Sequence, residues 1–243
     1  MLTEQEKSRY ARQILLRGVG EQGQEKLKKA KILIVGAGGL GSPLALYLCA
    51  AGIGTLGLID DDLVAESNLQ RQVLYTTEDV DKDKVGIAAE RLRAQNPNVV
   101  IKSYRDRLQP ENACKIIRDY DIVLDGCDNL STRYLINDTC VELDKVYIYG
   151  AVSDYRGQVA VFNYNGGPSY RCLYPSAELT DQTSAPQGVL GTLPGVVATL
   201  QASEAIKVIC GLGTCLSGWI LIIDLLTCQF EKIALERQDL LSR

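Results

Sequence analysis

The feature that most constrains this chain is a glycine-rich turn, Gly36–Gly41, which reads Gly-Ala-Gly-Gly-Leu-Gly. It follows an apolar run, Lys31–Val35, that is typical of a buried strand, and it precedes Ser42–Ala51, whose small and apolar residues favour a helix. Glycines at a strand–helix turn permit a tight bend and let a phosphate approach the backbone, while the helix N-terminus favours the anion. The turn therefore predicts a nucleotide site, although a close helix–strand contact without a ligand would use the same glycines.

Strand and helix patterns alternate from this turn up to Gly150. We expect strands at Lys31–Val35, Thr55–Ile59, Val99–Tyr104, Asp121–Leu124 and Val146–Tyr149, and helices at 3–16, Ser42–Ala51, 82–95, 111–118 and 130–143. Such alternation predicts an α/β protein with a Rossmann-like, mainly parallel sheet and helices on both of its faces.

The pattern changes after Gly150. Strands are expected at Gln158–Asn163, Trp219–Leu226 and Phe230–Leu235, and a helix at Val196–Cys210. These strands predict an antiparallel continuation of the sheet. Residues 165–190 are rich in Gly, Pro, Ser and Thr with little periodicity, and a stretch of that length is usually a functional lid or a mobile segment.

Composition narrows the classes of function. The 243 residues carry a net charge of −4, so the chain has no electrostatic reason to bind nucleic acid or anionic lipid. The N-terminus lacks an apolar leader, and Trp219–Leu226 is too short to span a bilayer. We therefore expect a cytoplasmic protein without a membrane partner. The eight cysteines form no Cys-x-x-Cys pair and are expected to be buried thiols.

The kind of nucleotide is not settled by the turn. Asp60 ends the second strand, nineteen residues after Gly41, where a carboxylate can accept hydrogen bonds from ribose hydroxyls. A Walker loop is excluded because Ser42-Pro43 follows the last glycine. The chain has no histidine, and no tyrosine has a lysine four residues later, so the proton donors that hydride transfer usually needs are missing. These absences disfavour NAD chemistry but leave it as an alternative.

A set of motifs resembles the ThiF/MoeB/HesA family of ubiquitin-activating-type adenylyltransferases. The resemblance runs over nearly the whole chain, and its motifs are specific only in combination. They are Arg9–Gln13, Gly36–Gly41, Asp60, Glu66–Gln72, Lys84, Asp128-Asn129, Arg156–Gln158, Tyr170–Leu173, Leu200–Lys207 and Thr227–Phe230. The resemblance implies a single adenylation domain over 1–243, with a nucleotide-binding half (1–150) and a carrier-binding half (151–243) that contains a crossover loop at about 171–190.

The reaction that the resemblance implies is ATP-dependent adenylation of the C-terminal glycine of a ubiquitin-like sulfur carrier ending in Gly-Gly, with release of pyrophosphate. A ThiS-like carrier is suggested by Tyr75–Asp81 and Leu173–Pro175, which look closer to the thiamine-pathway member, and a MoaD-like carrier remains an alternative. A relative that binds the carrier without turnover is a further alternative. The family also implies a homodimer with shared sites.

The resemblance assigns roles to particular residues. Asp60 would bind the ribose, and Asn68, Arg71 and Lys84 would face the phosphates, which need cations and amide donors. Asp128 would carry Mg²⁺, and Arg12 would reach the phosphates of the partner's site. The full set of expected nucleotide-binding residues is Gly36, Gly38, Gly39, Gly41, Asp60, Asp62, Ser67, Asn68, Arg71, Gln72, Lys84, Asp128 and Asn129.

Each role has a simpler rival. Arg71, Lys84 and Arg12 could be solvated surface charges. Asp60 could be one of three solvated acids, and Asp128 could be the N-cap of the following helix.

The chain departs from the family in two places. Many members bind zinc through two Cys-x-x-Cys pairs, but here the first pair reads Ser169-Tyr170-Arg171-Cys172 and the second is absent. One thiolate cannot form a tetrahedral site, so zinc is not expected. Many members also have a cysteine in the crossover loop where this chain has Ser184. Serine without an adjacent base is a poor nucleophile, so a covalent carrier intermediate at this position is in doubt.

Overall fold

Eight strands form one mixed sheet in the computed structural model, which describes residues 1–175 and 188–237. The strands are β1 Lys31–Val35, β2 Thr55–Ile59, β3 Val100–Tyr104, β4 Ile122–Asp125, β5 Val146–Ser153, β6 Arg156–Phe162, β7 Trp219–Asp224 and β8 Gln229–Ala234. Their spatial order is β3-β2-β1-β4-β5-β6-β7-β8. The first five are parallel, whereas β6, β7 and β8 continue the sheet antiparallel, which confirms the predicted fold class.

Helices cover both faces of the sheet. They are α1 Glu4–Arg9, α2 Ala11–Ile14, α3 Gly20–Lys29, α4 Gly41–Ala51, α5 Lys84–Gln95, α6 Pro110–Ile117, α7 Leu130–Glu142, α8 Tyr170–Leu173 and α9 Leu193–Cys210, with short 3-10 turns at Glu66–Asn68 and Thr77–Asp79. One core cluster joins α3, α4, α5 and α9 to the sheet, and a second joins α6, α7 and α8 to its other face. Alternate side chains of each buried strand supply the two clusters, as the period of a strand requires.

Two sequence predictions differ from the structure, one near the N-terminus and one in the later loop, and one helix was not predicted. The helix predicted over 3–16 is broken at Tyr10, whose buried ring lies against Gly52 and whose hydroxyl accepts a hydrogen bond from Asn96 Nδ2 at 2.9 Å. Helix α3 was not predicted, because its polar and glycine-containing sequence has a weak helical signal. The stretch 165–190, expected to lack structure, contains α8.

Helix α9 is long and apolar enough to cross a membrane, with a mean hydropathy of 1.3, and it is the one such helix in the described ranges. Half of it is buried within the protein, where it packs against β5, β6, α3 and α4. Its buried residues include Gln201 and Glu204, which a core helix can hold through hydrogen bonds. The burial explains its composition without a bilayer.

Candidate functional site

The C-terminal ends of the parallel strands open into a cleft of about 1010 Å³. Strand β1 lies between β2 and β4, so the chain leaves it towards β2 on one side and later returns to β4 on the other. Ligands of open α/β sheets bind at such a switch point, outside the carboxyl ends of the strands. The cleft is therefore where the topology by itself places a ligand.

Most of the residues expected to bind nucleotide meet in this cleft. Those that line it are Gly36, Gly38, Gly39, Asp60, Asp62, Asn68, Arg71, Gln72, Lys84, Asp128 and Asn129. Gly41, Ser67 and Arg12 do not line it. Gly41 begins α4, Ser67 lies in the 3-10 turn after β2, and Arg12 lies on α2.

The glycines of the turn serve two different purposes. Gly36 has φ +92°, and a Cβ there would lie 2.5 Å from the carbonyl oxygen of Gly126, while a Cβ on Gly41 would overlap the carbonyl oxygen of Gly36. These two positions need glycine for the turn and for close packing of α4. At Gly38 and Gly39 a Cβ would instead point at Gln72 and Arg71, 3.3 Å and 3.5 Å away, so glycine there keeps the cleft open for a ligand.

Asp60 fixes the turn from the end of β2. Its Oδ2 accepts a hydrogen bond from the N–H of Ala37 at 2.7 Å, and its Oδ1 accepts one from the N–H of Asp62 at 2.8 Å. Burial raises the pKa of Asp60, partly offset by the N–H of Ala37 and by Lys84. A carboxylate held in this way, beside the glycine turn, is oriented to accept hydrogen bonds from ribose hydroxyls.

Lys84 is buried, with only 4% of its side chain exposed, so it is not a solvated surface charge. It begins α5, and its Nζ donates to Oδ2 of Asp62 at 2.8 Å. A buried ammonium needs a partner because desolvation is costly. Asp62 is itself largely exposed, so it holds the ammonium at the cleft without enclosing it.

The segment after β2 carries three polar side chains into the cleft, those of Asn68, Arg71 and Gln72. Arg71 folds back so that its NH1 donates to the main-chain carbonyl of Ser67 at 3.2 Å, and Ser67 contributes this carbonyl from outside the cleft. Gln72 is buried, and its Oε1 has no hydrogen-bond partner among the described residues. A buried amide acceptor without a partner is unusual, and it marks a position that a ligand donor can satisfy.

Asp128 and Asn129 follow β4. Asn129, not Asp128, is the N-cap of α7: its Oδ1 accepts from the N–H of Thr132 at 2.9 Å. The alternative that Asp128 caps this helix is therefore wrong. Asp128 is exposed in the cleft, and its carboxylate has a single contact of 3.5 Å to Asn129 Nδ2 among the described residues. It is available to a cation.

The donor set fits magnesium bound with a polyphosphate. Mg²⁺ is held by one or two carboxylates and takes its other ligands from phosphate and water, and Asp128 offers one such carboxylate beside the glycine turn. The carboxylates of Asp60, Asp61 and Asp62 also lie within 4.8 Å of one another. Asp60 is engaged by the turn and Asp62 by Lys84, so this cluster is already largely satisfied.

Sequence reasoning missed a buried network beneath the cleft. Asp125, at the end of β4, accepts hydrogen bonds from Arg133 Nε at 3.1 Å and from the Tyr147 hydroxyl at 2.9 Å. Cys127 Sγ lies 2.9 Å from the other carboxylate oxygen. Burial, together with the Asp125 carboxylate, raises the pKa of the Cys127 thiol well above its ordinary value, so the thiol is a donor to Asp125 and not a thiolate nucleophile.

Sequence reasoning also assigned no site role to the polar side chains at the far end of the cleft, although Gln158 lies in the family motif Arg156–Gln158. Tyr149, Gln158 and Tyr174 line this end, and both tyrosine hydroxyls lie within hydrogen-bond distance of Gln158 Oε1. Tyr149 is the last residue of the strand predicted at Val146–Tyr149, but it lies near the middle of the observed β5, which runs on to Ser153. The rule that places functional residues at the ends of parallel strands could have pointed to Asp125. Gln158 lies on an antiparallel strand, which the rule does not cover.

Arg12 lies on α2, exposed and outside the cleft. Two neighbouring residues, Leu15 and Leu16, are also exposed, at 76% and 58%. The single chain does not bring Arg12 to the other site residues.

The chain has serine, Ser169 and Ser184, at two positions where many family members have cysteine. Ser169 is the N-cap of α8, and its N–H lies 3.4 Å from the Sγ of Cys172. Ser184 lies outside the described residues.

The fold and cleft define a nucleotide-binding α/β protein whose cleft offers both a glycine turn and cations. Among solved structures, the chain is similar to PaaA, at 26% identity and a TM-score of 0.82 over 98% of this chain and 76% of that one. It also shares the fold of Escherichia coli MccB solved with ATP, at 24% identity and a TM-score of 0.86 over 96% of this chain and 73% of that one. The sequence profile of the ThiF family matches residues 10–241, and the chain belongs to this family.

Curated relatives are named as adenylyltransferases. The chain is 48% identical over 242 residues to a sulfur carrier protein adenylyltransferase of Thermus thermophilus, covering 97% of this chain and 89% of that protein. It is 48% identical over 231 residues to a probable molybdopterin-synthase adenylyltransferase of Porphyra purpurea, covering 94% of this chain and 60% of the relative. It spans 52% of the adenylyltransferase and sulfurtransferase MOCS3 of Xenopus laevis, at 45% identity over 96% of this chain.

Proposed function

We propose that this chain is an ATP-dependent adenylyltransferase that activates the C-terminal glycine carboxylate of a ubiquitin-like sulfur carrier of the ThiS or MoaD kind. The single observation that carries the proposal is the convergence of the glycine turn, buried Lys84, Arg71 and exposed Asp128 in one cleft. The names of the Thermus thermophilus and Porphyra purpurea relatives support the same activity.

The proposed adenylation balances with ATP and the carrier carboxylate as its two reactants. One oxygen of the carrier carboxylate forms a bond to the α-phosphorus of ATP, and the bond from that phosphorus to the bridging oxygen breaks. Pyrophosphate leaves with the electron pair, and the carrier becomes an acyl-adenylate. Little covalent help is needed from the protein, so catalysis is positioning and charge stabilisation.

The glycine turn and four side chains of the cleft have parts in that task. The turn and Asp60 would hold the nucleotide by its phosphate backbone and ribose, while Arg71 and Lys84 would stabilise charge on the phosphate oxygens. Asp128 would hold Mg²⁺, which when bound supplies positive charge to the same oxygens. The absence of histidine is no obstacle, because a carboxylate nucleophile needs no general base.

We further propose that the enzyme is a homodimer in which Arg12 enters the partner's cleft. Arg12 has no place in its own cleft, and the exposed leucines beside it provide an apolar surface that a second copy would bury. The comparisons do not choose between the carriers, since relatives are named for both molybdopterin synthase and a sulfur carrier.

Exchange of radiolabelled pyrophosphate into ATP tests the activity. The probe is each purified ubiquitin-like protein ending in Gly-Gly from the genome that encodes the chain, with the same protein lacking its last glycine as control. We expect exchange that requires the intact carrier. Carrier binding without exchange would instead favour a non-catalytic relative, and saturable NADH binding without ATP binding would favour an oxidoreductase.

A further inference from the structure

The cleft is longer than a nucleotide site requires. Asp60 lies at the end of β2, and four steps of the sheet, through β1, β4 and β5, separate β2 from β6. With strands about 4.8 Å apart, these steps amount to roughly 19 Å. A nucleotide whose ribose lies at Asp60 and whose phosphates lie at the glycine turn therefore leaves the β5–β6 end of the cleft to the second substrate.

Gln158 is the central side chain at this end. It lies on β6, opposite Ala151 of β5, and lines the cleft. The hydroxyl of Tyr149 lies 2.9 Å from its Oε1, and that of Tyr174 lies 3.4 Å from the same oxygen. Its Nε2 has no hydrogen-bond partner among the described residues.

The two tyrosines fix which way the carboxamide points. Burial raises the pKa of Tyr149 well above its ordinary value, so its hydroxyl stays protonated and must donate. Within the described part of the chain, both hydroxyls donate to Gln158 Oε1. If the amide were reversed, Nε2 would face two donors, and the buried Tyr149 hydroxyl would lose its acceptor, which is costly. Oε1 therefore faces the tyrosines, and Nε2 is left to donate to a ligand.

Both tyrosines are held firmly in place. The Tyr149 ring packs against Tyr170 at 5.4 Å between centroids, and Arg133 lies 5.4 Å from its centroid. Tyr174 packs against Tyr170 at 5.2 Å, and its main-chain carbonyl accepts a hydrogen bond from the Tyr134 hydroxyl. Gln158 is thus oriented before any ligand arrives, which lowers the entropic cost of binding.

The charge at this end suits a neutral acceptor. The cleft cation beside Gln158 on β6, Arg156, is paired with Asp224 at 3.2 Å, and Arg133 is paired with Asp125. A neutral amide donor near paired cations matches a peptide carbonyl better than a phosphate or a free carboxylate. Those anions would be attracted to Arg71 beside the glycine turn, which donates to a main-chain carbonyl and has no carboxylate partner among the described residues.

We propose that Gln158 binds the C-terminal tail of the carrier, donating a hydrogen bond from Nε2 to a peptide carbonyl oxygen near the terminal Gly-Gly. This assignment rests on the proposed function and specifies how that site holds its protein substrate. Gln158 is then a binding residue for the tail and takes no part in ATP binding.

The test replaces Gln158 and leaves Tyr149 and Tyr174, which orient it, unchanged. Gln158→Glu keeps an oxygen for both tyrosines but puts a second oxygen in place of Nε2, so the donor is lost and the tail carbonyl meets a like partial charge. Gln158→Met removes the donor without adding charge, and it serves if the glutamate variant fails to fold. Gln95→Glu, at the exposed end of α5, makes the same chemical change outside the cleft and is the matched control.

Pyrophosphate exchange is measured against carrier concentration, with a ubiquitin-like protein ending in Gly-Gly from the same genome as the probe, and ATP affinity is measured separately by calorimetry. For both Gln158 variants we expect the KM for the carrier to rise roughly tenfold or more, with kcat changed much less and ATP affinity within about twofold of the parent. The control should match the parent in all three quantities.

Two results would overturn the assignment while the proposed function stands, provided that the parent enzyme shows normal exchange. In the first, the Gln158 variants have the same KM for the carrier as the parent. In the second, the variants lose ATP affinity in proportion to their loss of carrier affinity. A parent that shows no exchange with any such carrier would remove the proposed function, and the assignment with it.

Discussion

The guanidinium Nε of Arg133 lies 3.1 Å from Oδ2 of Asp125; Asp125 is fully buried beneath the cleft, and Arg133, which lines the cleft, is 12% exposed. Asp125 ends β4, and Arg133 comes from the second turn of α7, so this pair ties the strand to the helix that follows it. Between them run the cleft residues Cys127, Asp128 and Asn129. The pair therefore fixes the segment that presents Asp128.

Arg133→Leu should destabilise the protein strongly. It leaves the fully buried Asp125 carboxylate without its cation, and breaking a buried pair in this way costs about 3–5 kcal/mol. Urea unfolding monitored by circular dichroism measures the loss. Arg118→Leu, at the exposed end of α6, is the control and should change the free energy of unfolding by less than about 0.5 kcal/mol. Adding Asp125→Asn to Arg133→Leu should recover part of the loss; a fully additive double variant would contradict the pairing.

Asp128→Ala should abolish exchange without unfolding the protein. Asp128 is exposed and makes one long contact with Asn129 in the described structure, so its removal costs little stability. If it holds Mg²⁺, carrier-dependent exchange should fall by roughly 10²-fold or more. Asp119→Ala, another exposed aspartate but outside the cleft, should keep normal exchange. Full activity of Asp128→Ala would remove Asp128 from the site.

ATP binding should weaken in mild acid because of Asp60. Burial raises the pKa of this carboxyl, so it takes up a proton at a higher pH than an ordinary aspartate does. As the pH falls through this raised pKa, the carboxylate becomes neutral and its hydrogen bonds to ribose hydroxyls weaken. The Kd for ATP, measured by calorimetry, should therefore rise as the pH falls. In Asp60→Asn this component of the pH dependence should be absent, whereas an unaltered profile would show that another group is responsible.

Zinc should be absent from the purified protein. Ser169 and Cys172 contact each other at the start of α8, and a tetrahedral zinc site needs four ligands, of which the family position here retains one thiolate. Protein expressed with added zinc should contain much less than one zinc per chain by mass spectrometry of the digested sample. Treatment with a chelator should leave the midpoint of thermal unfolding unchanged. About one zinc per chain would contradict this expectation.

The sequence predicted those site residues whose position follows from the local pattern of strands and helices. The glycine turn, Asp60 and Asp128 could be placed because each lies within three residues of the end of a buried strand, and parallel strands bring their carboxyl ends to one edge. Their meeting in one cleft follows from the strand order, in which β2, β1 and β4 are neighbours. The alternation of strands and helices predicts the parallel sheet but not this order.

What the sequence did not yield depends on contacts between distant segments. Gln158, Tyr149 and Tyr174 come from β6, β5 and the end of α8, and nothing in the local pattern of any one of them indicates the others. Gln201 lies in a motif that indicates only a helix, yet its Nε2 donates to the main-chain carbonyls of Asp125 and Ile148 and so joins β4 to β5. Such contacts are set by tertiary packing, which local propensity does not encode.

Arg12 offers the sharpest test of the proposed dimer. If Arg12 acts in the partner's cleft, Arg12→Ala and Asp128→Ala should each be inactive alone but should complement each other when their subunits are exchanged. In a mixed dimer the site on the Arg12→Ala subunit has an intact Asp128 and receives Arg12 from its partner. The other site of that dimer lacks both residues.

Random mixing makes half of the dimers mixed, with one working site in each, so exchange should recover to about a quarter of the parent rate. Arg17→Ala, an exposed arginine just beyond α2, should be active on its own and serves as the matched control. Sedimentation of the parent and of the mixture checks that dimers are present. No recovery in a mixture whose subunits demonstrably exchange would show that Arg12 does not act between subunits.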